Sequence, residues 1–159
     1  MKRGDIVVVA TDWSLLGRIG VGFALAFVVG FEREVRGSPA GDRTIALIGG
    51  ATAALTAVLY KSSPQALAGV ITGIGFIGAG VVFHAENSLV RGITTASAIF
   101  ATAAIGVVVG TGHLAVGAVT AAAVLLILEL RNIPGVRRLD ARRYQPSFRD
   151  DNDPPSPHS

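Results

Sequence analysis

Charged side chains are scarce in this 159-residue chain, and those able to do chemistry crowd into two places: Glu32-Arg33-Glu34-Val35-Arg36 with Asp42-Arg43, and Arg91. One product such groups can make is a Mg²⁺ site from Glu32, Glu34 and Asp42, because Mg²⁺ takes carboxylate oxygens and keeps its waters. The adjacent arginines favour another product, an ion-pair cluster of Glu32, Arg33, Glu34, Arg43 and Arg91. Partly buried pairs of this kind need several hydrogen bonds to break even. Solvated interfacial charge with no cluster is the plain alternative, since ionisable groups near headgroups cost far less than at the membrane midplane. Glu32 stands out, because it lies where a helix end would disfavour an anion, while Arg43 and Arg91 lie where helix starts disfavour cations.

Other motifs point nowhere. Gly73-Ile-Gly75-Phe-Ile-Gly78 matches G-x-G-x-x-G, yet no strand precedes it and its glycines sit inside an apolar stretch. His84-Ala85-Glu86 resembles the H-x-E of zinc deaminases, but a chain without cysteine cannot supply the C-x-x-C partner. Ser, His and acidic residues are too scattered for a hydrolytic triad, and no G-x-x-x-x-G-K loop occurs. The reading is therefore non-enzymatic, with no cofactor implied.

The elements that position these charges follow from hydropathy. Half the residues are apolar and 16% are charged, with a mean hydropathy of +0.55, too little polar cover for a soluble domain. The net charge of +3 does not signal nucleic acid, because the arginines gather at helix ends and in the tail rather than among aromatics. Ser14 to Phe31, Thr44 to Tyr60 and Ser62 to Ala85 each supply one span of about 20 residues. The uncharged run from Gly92 to Leu128 supplies two, broken at Gly110-Thr111-Gly112-His113. The expectation is an all-α, polytopic transmembrane helical bundle of five spans. Its parts are an extracytoplasmic segment 1–13, a membrane domain 14–130, and a basic then proline-rich cytoplasmic tail 131–159 whose end is disordered. Most Lys and Arg fall on one side if the amino terminus is outside, so the positive-inside rule predicts N-out and C-in.

Local signals refine the helices. Asp42 to Thr44 can satisfy the free amides at the start of span two, and Ser62-Ser63-Pro64 offers a serine cap followed by proline at the first helical position. Span four begins near Thr94-Thr95. Gly69, Gly73, Gly75, Gly78 and Gly80 leave span three with a face nearly free of side chains, and Gly106 and Gly110 repeat the spacing on span four. Spans three and four are expected to pack tightly, with each other or with another subunit. Arg18 is expected to snorkel to the outer interface, and the hydroxyls of Thr72, Thr94, Thr95, Ser97 and Thr102 to bond within or between helices.

Taken together, Gly30-Phe31-Glu32-Arg33-Glu34, Ala40-Gly41-Asp42-Arg43-Thr44, Thr72 to Gly80, Val90-Arg91-Gly92-Ile93-Thr94-Thr95-Ala96 and Ala103-Ala104-Ile105-Gly106 resemble the MgtC/SapB family over roughly Leu15 to Leu130. The resemblance implies five spans in a bacterial plasma (inner) membrane and a link to Mg²⁺ homeostasis. It also implies action through other membrane proteins, the proton-translocating ATP synthase among them, with direct cation transport as the alternative. The positions it marks are Glu32, Arg33, Glu34, Gly41, Arg43, Thr44, Gly73, Gly75, Gly78, Gly80, Arg91, Gly92, Thr94 and Thr95. Asp42, Gln65 and Phe100 depart from the usual pattern. The expected partners are the lipid bilayer, other membrane proteins and further copies of the chain.

Overall fold

The computed structural model describes the backbone of residues 5–83 and 92–129 and the side chains of 13–82 and 92–129. Five helices follow one another: α1 Asp5–Val35, α2 Asp42–Leu59, α3 Pro64–Phe83, α4 Ile93–Gly110 and α5 Leu114–Glu129. Four are long and apolar enough to cross a membrane, α1 through its portion Trp13–Val35, whereas α5 has 16 residues. α1 starts at Asp5, so the helix is longer than the expected span Ser14 to Phe31 at both ends. Its 31 residues extend about 46 Å at 1.5 Å per residue.

The large apolar side chains point outward. Phe76 is 82% exposed and Trp13 77%, while the buried positions are held mostly by alanine, glycine, threonine and isoleucine. This inversion of a soluble protein suits a lipid solvent, where helices associate by close backbone approach rather than by hiding large apolar groups. The chain is a membrane protein.

Three helices make the close contacts, α1 with α2 foremost, then α2 with α4. Each carries small residues four apart: Gly22, Ala26 and Gly30 on α1, Gly49, Ala53 and Ala57 on α2, and Thr102, Gly106 and Gly110 on α4. A Cβ on Gly22 would stand 2.5 Å from Ala53 Cβ, and one on Gly30 would stand 2.7 Å from Asp42 Cα. The expected partner of Gly106 and Gly110 is corrected here. Both lie against α2, Gly106 over Gly49 and Thr52, Gly110 over Ala53 and Thr56. The groups that meet them are α2's own backbone and the β-carbons of its Thr52 and Thr56.

Helix ends follow their chemistry. α1 closes with Gly37 at φ +66, Ser38 N donating to Arg33 O and Gly37 N to Glu34 O. α4 closes the same way at Gly112, φ +98, with His113 N donating to Val108 O and Gly112 N to Val109 O. These are Schellman caps, which need a left-handed residue and so favour glycine. α3 begins at Pro64 as expected, but the Ser62 hydroxyl bonds back to the Val58 and Leu59 carbonyls at the end of α2. The cap of α2 is Gly41 rather than Asp42. Asp42 turns its Oδ1 to the Arg43 amide at 2.6 Å. α4 is preceded by Gly92 in the left-handed region, φ +89, where an added Cβ would stand 2.8 Å from Val81 O.

Candidate functional site

One end of the bundle gathers the expected charges, though not in the expected pairs. Glu32 lies in the last turn of α1, and its side chain is only 9% exposed. Its ion pairs run to Arg36 Nε at 3.6 Å and Arg33 Nη1 at 3.8 Å. Arg36 lies one helical turn on and Arg33 is the next residue, so Glu32 finds cations within α1 without reaching across the loop. Arg43 is exposed, and neither ion pair of Glu32 among the described residues goes to it. The cluster of Glu32 and Glu34 with Arg43 therefore does not form. Arg91, like His84-Ala85-Glu86 and the tail 131–159, lies outside the described residues.

Glu34 turns away from Glu32. Its carboxylate lies over Gly41, so close that a Cβ there would overlap Oε2 and stand 2.7 Å from Cδ. That places an anion beside the start of α2, where the helix dipole welcomes it and no side chain caps the helix. Glu32, Glu34 and Asp42 thus serve three separate partners. Among the described residues no group of three acidic, histidine or cysteine side chains could hold a metal ion. The Mg²⁺ site from these three is accordingly not formed.

The connection between α1 and α2 is tied into the bundle by a bond that sequence reasoning missed. Ser38 Oγ and Thr95 Oγ1 stand 3.2 Å apart, Thr95 being buried at the start of α4. Ala40 and Gly41 in the same connection are buried, whereas Thr44 and Thr94 are exposed. Nothing in the sequence distinguishes Thr95 from Thr94 except its turn of the helix.

The opposite end centres on Arg18. It does not simply snorkel: Nη1 donates to the Gly110 carbonyl at 3.4 Å, at the C-terminus of α4, where the dipole favours a cation. Its guanidinium covers Gly112, whose added Cβ would stand 3.1 Å from Cζ. Tyr60 is adjacent, with Lys61 Nζ 5.5 Å from its ring centroid. Desolvation pushes the Tyr60 phenol up, but hydrogen bonds and positive charge from Lys61 and Arg18 outweigh it and hold the phenol below its usual 10.0.

Between the two ends the buried polar groups are hydroxyls. Thr52 Oγ1 donates to Ile48 O and Thr102 Oγ1 to Ala98 O, each back into its own helix. Thr72 and Ser97 do the same, on Ala68 O and Ile93 O. Thr56 is fully buried and its hydroxyl has no partner.

α3 packs against α4 but leaves its glycine face open. Nothing lies within 4 Å of a Cβ added at Gly69, Gly73, Gly75 or Gly80, and Gly78 meets Ala96 at an ordinary 3.7 Å. An open apolar groove of about 530 Å³ runs between α3 and α4, lined among others by Gly75, Gly78, Ala96 and Phe100.

The sequence profile of the MgtC family fits residues 19–134, from α1 to beyond α5. The chain belongs to the MgtC family. It is 38% identical over 139 residues to the protein MgtC of Brucella abortus, covering 79% of this chain and 56% of that one. It is 34% identical over 145 residues to an uncharacterized protein of Haemophilus influenzae, covering 82% and 60%. An Escherichia coli K12 relative named "Putative magnesium transporter YhiD" is 38% identical over 115 residues, covering 64% and 53%. This MgtC family chain spans just over half the length of these relatives. No solved structure matches it.

Proposed function

We propose that this MgtC family chain is a non-enzymatic, multi-pass protein of the bacterial plasma membrane that serves Mg²⁺ homeostasis by modulating other membrane proteins. The link to Mg²⁺ draws on the name of the Escherichia coli relative. In this reading the chain crosses the membrane five times, N-out and C-in, α5 being the short fifth span. The observation that carries modulation over transport is the placement of acid. A transporter places acidic groups near the midplane, and here Glu32, Glu34, Asp42 and Glu129 stand at helix ends. The middle of the α2–α4 seam is closed by Gly49, Gly106, Thr52 and Thr102, two of whose hydroxyls bond to their own helices.

The second reading, a transporter of a divalent cation, is favoured by the name of that same relative. Mg²⁺ entry into liposomes holding purified protein and a trapped indicator separates the two. Wild type and empty vesicles with the same slow leak support modulation. Protein-dependent entry that Glu32→Gln abolishes makes the chain a transporter and removes the modulator.

A further inference from the structure

The end of the bundle opposite Glu32 gathers cations from two helices. Four membrane-crossing segments each have an end here, α1 at Trp13, α2 at Leu59, α3 at Pro64 and α4 at Gly110. Trp13 is 77% exposed, as suits an indole at the headgroup level. Arg18 lies on α1, half-buried against Gly110 and Gly112, and Lys61 is exposed just beyond α2. Tyr60 joins the two. It stands one helical turn beyond Thr56, the residue that Gly110 meets on α2, and Lys61 Nζ is 5.5 Å from its ring centroid. Both cations act on its phenol through hydrogen bonds and charge.

This group of donors lacks an anion. Both ion pairs among the described residues belong to Glu32, and the acidic side chains described, Glu32, Glu34, Asp42 and Glu129, all stand at the far helix ends. Helix dipoles do not supply the missing charge. The C-termini of α2 and α4 bring about half a negative charge each, and the N-termini of α3 and α5, a few residues on, bring as much positive charge. Two full positive charges therefore remain around one phenol. Arg18 spends Nη1 on the Gly110 carbonyl at 3.4 Å, while its Nη2 and Nε lie beside Gly112, which is exposed and has no side chain to cover them.

We propose that Arg18, Tyr60 and Lys61 bind the phosphodiester of an anionic phospholipid at the headgroup level. Arg18 and Lys61 donate to the phosphate oxygens as charged groups, and the Tyr60 hydroxyl adds a neutral donor. A choline headgroup brings a third cation to a place where no described acid can receive it, so the site favours a headgroup of the phosphatidylglycerol kind. Lys61 is exposed and Arg18 and Tyr60 are partly so, and a lipid reaches them without opening the bundle. The inference needs only that the helices cross a membrane, and it stands whether the chain modulates or transports.

The test is native mass spectrometry of the purified protein from nanodiscs holding equal amounts of phosphatidylglycerol and phosphatidylcholine with the same acyl chains. Wild type should retain the anionic lipid about tenfold over the choline lipid, and Lys61→Gln should cut that ratio about fivefold, the share of one cation near a membrane surface. Charge alone would enrich anionic lipid without a site, so two charge-conserving variants decide. Arg18→Lys loses the planar fork and Tyr60→Phe loses the phenol donor; each should lower the ratio about twofold or more, the scale of a weakened hydrogen bond. A ratio near unity in wild type, or a ratio unchanged in both charge-conserving variants, overturns the proposal. Should Arg18→Lys fail to fold, Tyr60→Phe decides by itself. Glycerophosphoglycerol, the same headgroup without acyl chains, and inorganic phosphate should not displace the lipid at equal concentration; displacement by either makes the ligand a soluble anion and overturns the assignment to a lipid.

Discussion

Gly106 of α4 lies directly over Gly49 of α2, so that a Cβ on Gly106 would stand 2.5 Å from the Gly49 carbonyl oxygen and 2.9 Å from Thr52 Cβ. Backbone cannot yield as a flexible side chain would. Gly106→Ala should therefore cost about 1–3 kcal/mol of overpacking, read as a lower Tm in detergent. Gly73→Ala, which meets nothing within 4 Å, should leave the Tm of the single chain unchanged or slightly higher. Equal Tm values for the two variants would remove the α2–α4 contact as the source of stability.

Arg18 closes the end of α4 from α1, by its bond to Gly110 O and its cover over Gly112. Arg18→Met keeps the apolar stem and loses the donor, and should cost about 1 kcal/mol. Gly112→Ala adds left-handed strain at φ +98 and should cost about 1–3 kcal/mol. Chemical denaturation in mixed micelles measures both; an Arg18→Met variant as stable as wild type would return Arg18 to a snorkelling role.

Glu34 and Gly41 are coupled by contact. Gly41→Ala forces the Glu34 carboxylate off the start of α2, and Glu34→Ala removes the obstacle. A double-mutant cycle on stability should give a coupling of about 0.5–2 kcal/mol, with the double variant more stable than the sum of the single effects. Strict additivity would mean that Glu34 does not occupy that position.

Tyr60 should titrate below its ordinary 10.0 because Lys61 and Arg18 favour the phenolate. A lowered folded pKa contributes stability above the unfolded value, and that contribution is lost as pH falls through the folded pKa. At neutral pH it contributes nothing. Alkaline difference absorbance in a Tyr144→Phe background should show the Tyr60 transition, shifted up toward 10.0 in Lys61→Gln and again in Arg18→Gln. A transition that neither substitution moves would disconnect Tyr60 from both cations.

The helices were legible because they rest on local physics. Runs of apolar residues broken by Ser62-Ser63-Pro64 and by Gly110 to His113 mark four of the observed ends without any tertiary contact. The glycine stripes were read with less success. Gly69, Gly73 and Gly80 make the more conspicuous pattern on α3 yet face open space, while Gly22 and Gly49 passed unnoticed and stand close to the neighbouring helix. Spacing shows which residues share a face; it does not show which neighbour that face meets.

The same division runs through the charges. Sequence alone determined that Glu32 and Glu34 lie at the apolar–polar boundary closing α1 and that Asp42 opens α2, because hydropathy and helix length depend on residues close in the chain. Only the tertiary structure decided that Glu32 is buried against Arg33 and Arg36, that Glu34 covers Gly41, and that Ser38 reaches Thr95. Those pairings depend on how α1 crosses α2 and α4, and the crossing is set by where small side chains let backbones meet, a property of two surfaces together rather than of either one.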